Sequence, residues 1–391
     1  MRILIFALGE RNASEGGAGT YIRTITKILQ DRGHSINCLY HSDIRLLPED
    51  VIAKIVGARR QYVELLGNQH PLLASIESSK YECMRVLEYL GNGSYDIIHS
   101  QQAVTSYAAQ KIRPDVPLVG TIHGCYVSDV ICEGLVANYE AAQIFRQYDE
   151  YAISCPTSVI AVSRSMDENL PPIPEEKLEV IFNGVDTDLF SPAERKNNPG
   201  SPVRIAASGR LHDHKGYDIL MHALVILKEQ GLEFEVTMFG SGPQKVKLEN
   251  IVRSNQLPVT FRGEVSREAL AAELPHYDIF VQPSRAENFP FSVIEAMACG
   301  CAPIVTRIGG MKEQVDHMTN GILCPPENVY ALAESLRLLI KDRALREKMG
   351  QRAREKAVSN FSLEKMADRL EEVYRKTIEK HFSKVCGLQA S

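Results

Sequence analysis

A short apolar run, a glycine- or serine-bearing turn and a helical stretch follow one another repeatedly along this chain of 391 residues. The series runs once, stops in a segment rich in Pro, Asn and Ser, and starts again. Short apolar runs that do not alternate with polar residues are strands buried on both faces, and helices between them make those strands parallel. The first series opens with "RILIFAL" and continues through "EGGAGTYIRTITKILQDRGH", where Tyr21, Ile22, Ile25, Ile28 and Leu29 fall at helical spacing, to "SINCLYH". Further strands are predicted at "YDIIHS", "PLVGTIHG", "SVIAVS" and "LEVIFNGV", with helical stretches between them, notably 137–153. Residues 44–92 read as a mostly helical insertion.

"DTDLFSPAERKNNPGSP" has no periodicity and is the linker candidate, set at 187–199. The second series follows it. Strands are predicted at "VRIAASGRL", "FEVTMFGSG", "VTFRGEV", "DIFVQPS" and "APIVTRIGG", and helices at 216–230, 243–255, 267–274 and 291–299. After "NGILCPP", helices fill the chain to about residue 382. The expected fold class is α/β, with two doubly wound, Rossmann-like domains at 1–186 and 200–365. Ligands of such sheets sit at the carboxyl ends of the strands. The cleft between two facing sheets is then the expected active site.

Composition removes some functions. A formal net charge of −5 does not suit a general nucleic-acid binder. Residues 1–185 carry 16 Lys and Arg against 22 Asp and Glu, whereas residues 340–391 carry 13 against 8. The basic tail is read as a solvated helical face, with weak peripheral membrane contact as the other reading. The nine cysteines include no C-x-x-C pair, and settings such as "INCLY" around Cys38 and "GILCPP" around Cys324 are those of reduced, buried thiols. With no leader-like N-terminus and no run of about 18 apolar residues, a cytoplasmic protein is expected.

Several strand ends carry side chains suited to a ligand. Gly16-Gly17-Ala18-Gly19 opens a helix after the first strand and could admit an anion or be a plain tight turn. It is not G-x-G-x-x-G, which weakens a nicotinamide dehydrogenase. In "SGRLHDHKGYD", Arg210 and Lys215 share one loop after Gly209 and suit a diphosphate, Arg as a planar fork and Lys as a point charge. A solvated loop is the other reading, and His212 and His214 make a metal conceivable but not expected. Gly240 and Gly242 in "FGSGP" make room for a ring or a phosphate, and the backbone through Val265 could bond the edge of a base; either stretch could be a simple turn. In "ENFPFSVIEAMACG", Glu287 lies in a loop, Pro290 suits the first turn of a helix, and Glu295 falls about one turn inside it. Carboxylates accept paired hydrogen bonds from vicinal hydroxyls, so the two acids fit a sugar on one side of a diphosphate and a ribose on the other.

Together "SGRLHDHKG" and "ENFPFSVIEAMACG" resemble the retaining glycosyltransferases of family 4, of GT-B fold, as do "NGVDTDLF" and "EGGAGTYI". The resemblance covers nearly the whole chain, least at 44–92. It implies that Arg210 and Lys215 grip the donor diphosphate and that Glu287 holds sugar hydroxyls beside the backbone N–H groups of Asn288, Phe289 and Phe291. It further implies that Glu295 binds the ribose, that His123 lies beside the transferred sugar, and that Gly17 and Gly19 lie under the diphosphate or the acceptor. Its last helix, about 366–391, should return to the N-terminal domain. Where the family often has Gly, this chain has Pro290, which has no N–H to offer.

The activity implied is transfer of a sugar from a nucleotide-diphosphate sugar, UDP-linked by commonness in the family, to an acceptor hydroxyl with retention. No cofactor and no essential metal are expected; "VDTDLF", the D-x-D near a strand end, sits at the linker. Acceptor residues are expected near 9–19, 44–92 and 123–135, with Asp129 or Glu133 as candidates, and the acceptor itself could be a small molecule, a glycan or a lipid-linked sugar. Two alternatives stand: a non-catalytic sugar-nucleotide-binding protein, and a glycoside phosphorylase, for which no pyridoxal lysine loop is visible.

Overall fold

Every strand pairing in both sheets is parallel. This is the architecture of a computed structural model that describes residues 1–10, 16–67, 70–132, 134–166, 168–194 and 201–389. The chain divides into two units, one of Met1–Val162, Met166–Ile181 and the chain from Ala367, the other of Ser163–Ser165 and Phe182–Met366.

The first unit contains β1 (Arg2–Ala7), β2 (Ser35–Tyr40), β3 (Ile97–Ser100), β4 (Leu118–Ile122), β5 (Ser158–Ala161) and β6 (Leu178–Val180), in the order β2-β1-β3-β4-β5-β6. Ile3 to Ala7 are fully buried, which is why this strand shows no alternation in sequence. The order reverses between β1 and β3, and that point is where such a sheet opens a crevice at its carboxyl edge. Between β2 and β3 lie helices Glu49–Tyr62 and Pro71–Leu90, joined through a wider helical turn at Val63–Gly67. Apolar residues of these helices, including Val51, Ile55, Cys83 and Leu87, join the same core as Leu4 and Phe6. The helix Leu363–Gln389 returns to this unit, as the family resemblance implies. There Tyr374 Oη meets His99 Nδ1 at 2.7 Å and Thr377 Oγ1 donates to Ser158 Oγ at 2.8 Å.

The second unit contains β7 (Val203–Ser208), β8 (Phe234–Phe239), β9 (Val259–Gly263), β10 (Ile279–Gln282), β11 (Ala302–Thr306) and β12 (Ile322–Cys324), in the order β12-β11-β10-β7-β8-β9. Here the order reverses between β7 and β10, whose pairing runs Ile279↔Ile205. Sequence alone places no strand at 322–324. Three residues are too few to show a period, and pairing with β11, Ile304↔Ile322, makes them one. Of the expected linker, residues 195–199 lie outside the described residues. Residues 187–190 are anchored: Phe190 is fully buried, and Arg354 Nη1 donates to Thr187 O at 3.0 Å and Phe190 O at 2.8 Å.

Cysteine placement follows the expectation at Cys83, Cys125, Cys155, Cys299, Cys301 and Cys324, which are buried free thiols. Cys38 is only half-buried, on the edge strand β2, and Cys132 is exposed at the end of its helix. Among the described residues, no helix is long and apolar enough to cross a membrane.

Candidate functional site

The reversal between β7 and β10 brings two loops together. After β7 the chain passes Gly209 and Arg210, makes one short turn at Asp213–Lys215, and enters the helix Tyr217–Glu229 through Gly216. Gly216 has φ +64°, and a Cβ there would lie 2.1 Å from Pro283 O. Only glycine lets this loop close on the end of β10. From β10 the chain continues through Pro283 and Ser284 to Glu287.

The result is an ion pair between Lys215 Nζ and Glu287 Oε1, with the two side chains 15% and 11% exposed. Ser284 Oγ lies 3.3 Å from the same carboxylate oxygen. Ser284 is itself fixed: Gln282 Nε2 donates to its Oγ at 2.7 Å and Thr306 Oγ1 to its carbonyl at 2.6 Å. Arg210 stands beside this pair in sequence but is exposed, and its side chain hydrogen-bonds no protein group among the described residues. A strand-end guanidinium in that state is ready for an anion.

Arg285 escaped the sequence reading. Its backbone N donates to His214 O at 2.7 Å, its Nη1 to Asp213 O at 2.6 Å, and its guanidinium forms a two-pronged pair with Asp218 at 2.9 Å on each prong. It therefore ties the loop carrying Lys215 to the loop carrying Glu287. An arginine's partners 67 positions away leave no local pattern to find.

The helix Phe291–Ala298 begins one residue after Pro290, which occupies the N-cap with φ −68° and ψ 130° and supplies no side-chain cap. Its first N–H groups have no intrahelical acceptor and form the positive end of the helix. Glu295 is 5% exposed, and Arg267 Nε donates to it at 3.1 Å. Burial pushes its carboxyl above the usual range and Arg267 opposes that shift. Arg267 opens the helix Arg267–Glu273, two residues after the partly exposed Val265. Gly240 follows β8, with its N bonded to Gly263 O at 2.7 Å, and Gly209 N bonds Phe239 O at 3.0 Å. Thus Gly209, Gly240 and Val265 stand at neighbouring strand ends. Phe289 and Phe291 are buried and Asn288 half-buried, so the first two offer this surface their backbone only.

His212 and His214 have ring centroids 5.8 Å apart. Burial, then the neighbouring Lys215, lowers the His214 pKa to about 4. Among the described residues, no group of three or more His, Cys, Asp or Glu side chains is placed to hold a metal ion.

His123, Gly17 and Gly19 belong to the first unit, apart from the rest of the expected set. His123 directly follows β4, with Nε2 3.0 Å from Gln101 Oε1 and its ring edge-on to Tyr21 at 4.8 Å. Burial lowers its pKa to about 4, so the ring is neutral at pH 7. Gly17 and Gly19 form the first turn of the helix Gly16–Asp31. Just after His123, the buried Asp149 accepts from Tyr126 N at 2.7 Å and Val127 N at 3.2 Å, which fixes the start of the helix Tyr126–Cys132. Asp129 lies on that helix; Glu133 lies outside the described residues.

The chain is similar to known proteins along most of its length. The model of "Glycosyltransferase Family 4" matches residues 15–189 and that of "Glycosyl transferases group 1" matches residues 192–356. An uncharacterized glycosyltransferase of Methanocaldococcus jannaschii is 30% identical over 287 residues, 71% of this chain and 75% of that protein. The chain belongs to the group 1 glycosyltransferases. Solved structures agree on the fold of this glycosyltransferase, which is GT-B. Sucrose-phosphate synthase from Thermosynechococcus elongatus superposes with a TM-score of 0.73 at 21% identity, covering 96% of this chain and 99% of the other. HepE of Anabaena, in complex with UDP-glucose, does so with 0.71 at 19% identity, covering 96% and 100%.

Proposed function

We propose that this glycosyltransferase takes its sugar from a nucleotide-diphosphate donor held at the ends of β7 and β10, and transfers it to an acceptor hydroxyl with retention. The observation that carries the reading is the meeting of Lys215 with Glu287 at the sheet's reversal, beside an uncapped helix start. Lys215, Arg210 and the N–H groups of the helix neutralise the diphosphate as it leaves, where charge develops in the transition state. Glu287 accepts hydroxyls of the sugar, and Glu295 is the acid assigned to the ribose. HepE holds UDP-glucose on the same fold, which favours a UDP-linked donor.

The acceptor hydroxyl attacks the anomeric carbon on the face from which the phosphate departs. The carbon–phosphate oxygen bond breaks as the new carbon–oxygen bond forms, and the hydroxyl proton passes to the leaving phosphate. Cationic side chains and N–H groups do the work often given to a divalent ion, so no metal is required. The acceptor binds the first unit and is a small molecule, a glycan or a lipid-linked sugar. The eight described cysteines are free thiols, which suits the cytoplasm.

The test is slow hydrolysis of a panel of nucleotide sugars without acceptor, for the wild type and for Lys215→Ala. One UDP-sugar is expected to be cleaved by the wild type and not by the variant. Equal cleavage by both would remove Lys215 from the chemistry.

A further inference from the structure

We infer that Asn183, Gly310 and Gln314 are positioning residues that aim the backbone N–H groups of Phe289 and Phe291 at the donor sugar, by holding the carbonyls of residues 288–290 from the opposite side. The inference rests on the reading of the Glu287 loop as the sugar-binding loop.

Three successive carbonyls of that loop are taken by donors from two separate segments, Asn183 and the short helical turn from Gly310 to Gln314. Gly310 N donates to Asn288 O at 2.5 Å, Asn183 Nδ2 to Phe289 O at 2.7 Å, and Gln314 Nε2 to Pro290 O at 2.9 Å. Both amide side chains are buried, at 6% and 0% exposure. Their own oxygens, Asn183 Oδ1 and Gln314 Oε1, have no hydrogen-bond partner among the described residues, so it is the NH2 groups that the loop uses. The approach at 309–310 is as close as backbone permits. A Cβ on Gly309 would lie 1.8 Å from Glu287 O, and one on Gly310 2.2 Å from Asn288 O. Phe182 stacks on Phe289 at 5.1 Å and 12°, and Phe361 packs edge-on against both rings.

The described chain has no cis peptide bonds. In a trans peptide the C=O and the following N–H point in opposite directions. Fixing Asn288 O on Gly310 therefore turns the Phe289 N–H away from Gly310. Fixing Pro290 O on Gln314 likewise turns the Phe291 N–H away from Gln314. Between them Pro290 has no N–H, so the loop presents two donors and a gap. Neither N–H hydrogen-bonds another group among the described residues. Beside the oxygens of the Glu287 carboxylate, this makes a surface that both accepts from and donates to sugar hydroxyls. It also gives "NGVDTDLF" a physical role: its first residue, Asn183, donates to the Phe289 carbonyl of the loop.

The experiment uses the full chain with Asn183→Asp and Gln314→Glu, changes of nearly equal size that replace the donor by a carboxylate facing a carbonyl. UDP affinity is measured by calorimetry and turnover by hydrolysis of the UDP-sugar that the wild type cleaves. Each variant is expected to lose roughly tenfold or more in kcat/KM while UDP affinity stays within about twofold, the scale of leaving one buried carbonyl unpaired. If both variants fail to fold, Asn183→Ala removes the donor without adding charge and is read the same way. Unchanged turnover, or equal losses in UDP affinity and turnover, would overturn the inference and leave the donor site standing. A wild type that neither binds UDP nor cleaves any UDP-sugar would overturn both.

Discussion

Lys215 Nζ donates to Glu287 Oε1 across the two loops that meet at the sheet's reversal, 72 positions apart in sequence. Each side chain is the other's counter-ion, and neither is replaceable alone. Removing one partner of such a buried pair strands the other at a cost of roughly 3 kcal/mol. Lys215→Met and Glu287→Gln should each lower the thermal midpoint, and the double variant should recover part of the loss. A double-mutant cycle read by thermal unfolding checks this. Additive losses would mean the pair contributes nothing.

The same lysine should matter more to chemistry than to folding. Loss of one preorganised positive group from a developing anion costs roughly 100- to 1,000-fold in turnover. Lys215→Ala is expected in that range by donor hydrolysis. A fall no larger than the change in folded fraction would contradict it.

Arg285 ties the loop carrying Lys215 to the loop carrying Glu287. Its planar fork is matched to Asp218, and a lysine cannot reproduce the two prongs. Arg285→Lys should raise the donor KM about tenfold with kcat little changed, since the loops lose their mutual register more than their charge. Asp218→Asn should move KM in the same direction. Steady-state kinetics on both variants check this, and unchanged KM in both would count against it.

Three histidines set a pH dependence. Burial is the first cause that lowers His99 to about 3 and His123 and His214 to about 4. Below about pH 6.5 an unfolded histidine takes a proton that these folded ones refuse. The unfolded chain then binds more protons, so stability falls as pH falls from about 6.5 to 4, by up to about 1.4 kcal/mol per pH unit per histidine. Glu295, whose carboxyl burial pushes up, works in the opposite direction. Thermal midpoints measured across that window should drop toward acid. A flat profile would contradict the account.

Much of this was legible from the chain. Fully buried strands announce themselves as unbroken apolar runs, so "RILIFAL" and "DIFVQPS" place one interior strand of each sheet directly. Strand ends then place Arg210, Lys215 and Glu287 at the carboxyl edge of their sheet, the edge at which parallel sheets bind ligands. What stays hidden is long-range pairing. That Glu295 faces Arg267, that Lys215 faces Glu287, and that Arg285 grips Asp218 depend on which strands are neighbours. The order β12-β11-β10-β7-β8-β9 is not written in any local pattern. The carbonyl row held by Asn183, Gly310 and Gln314 is hidden for the same reason.

Metal removal is a further check on the proposed chemistry. Turnover should be unchanged by an excess of EDTA and should not rise with added Mg2+ or Mn2+. Activity abolished by chelation and restored by one ion would show that the cationic side chains are not sufficient.

A crystal structure of the full chain with UDP tests the central claim most directly. The account predicts the diphosphate at the ends of β7 and β10, with its oxygens bonded by Lys215 Nζ, the Arg210 guanidinium and the first N–H groups of the helix Phe291–Ala298. Density for UDP elsewhere, with Lys215 still bound to Glu287 and Arg210 still unengaged, would contradict it.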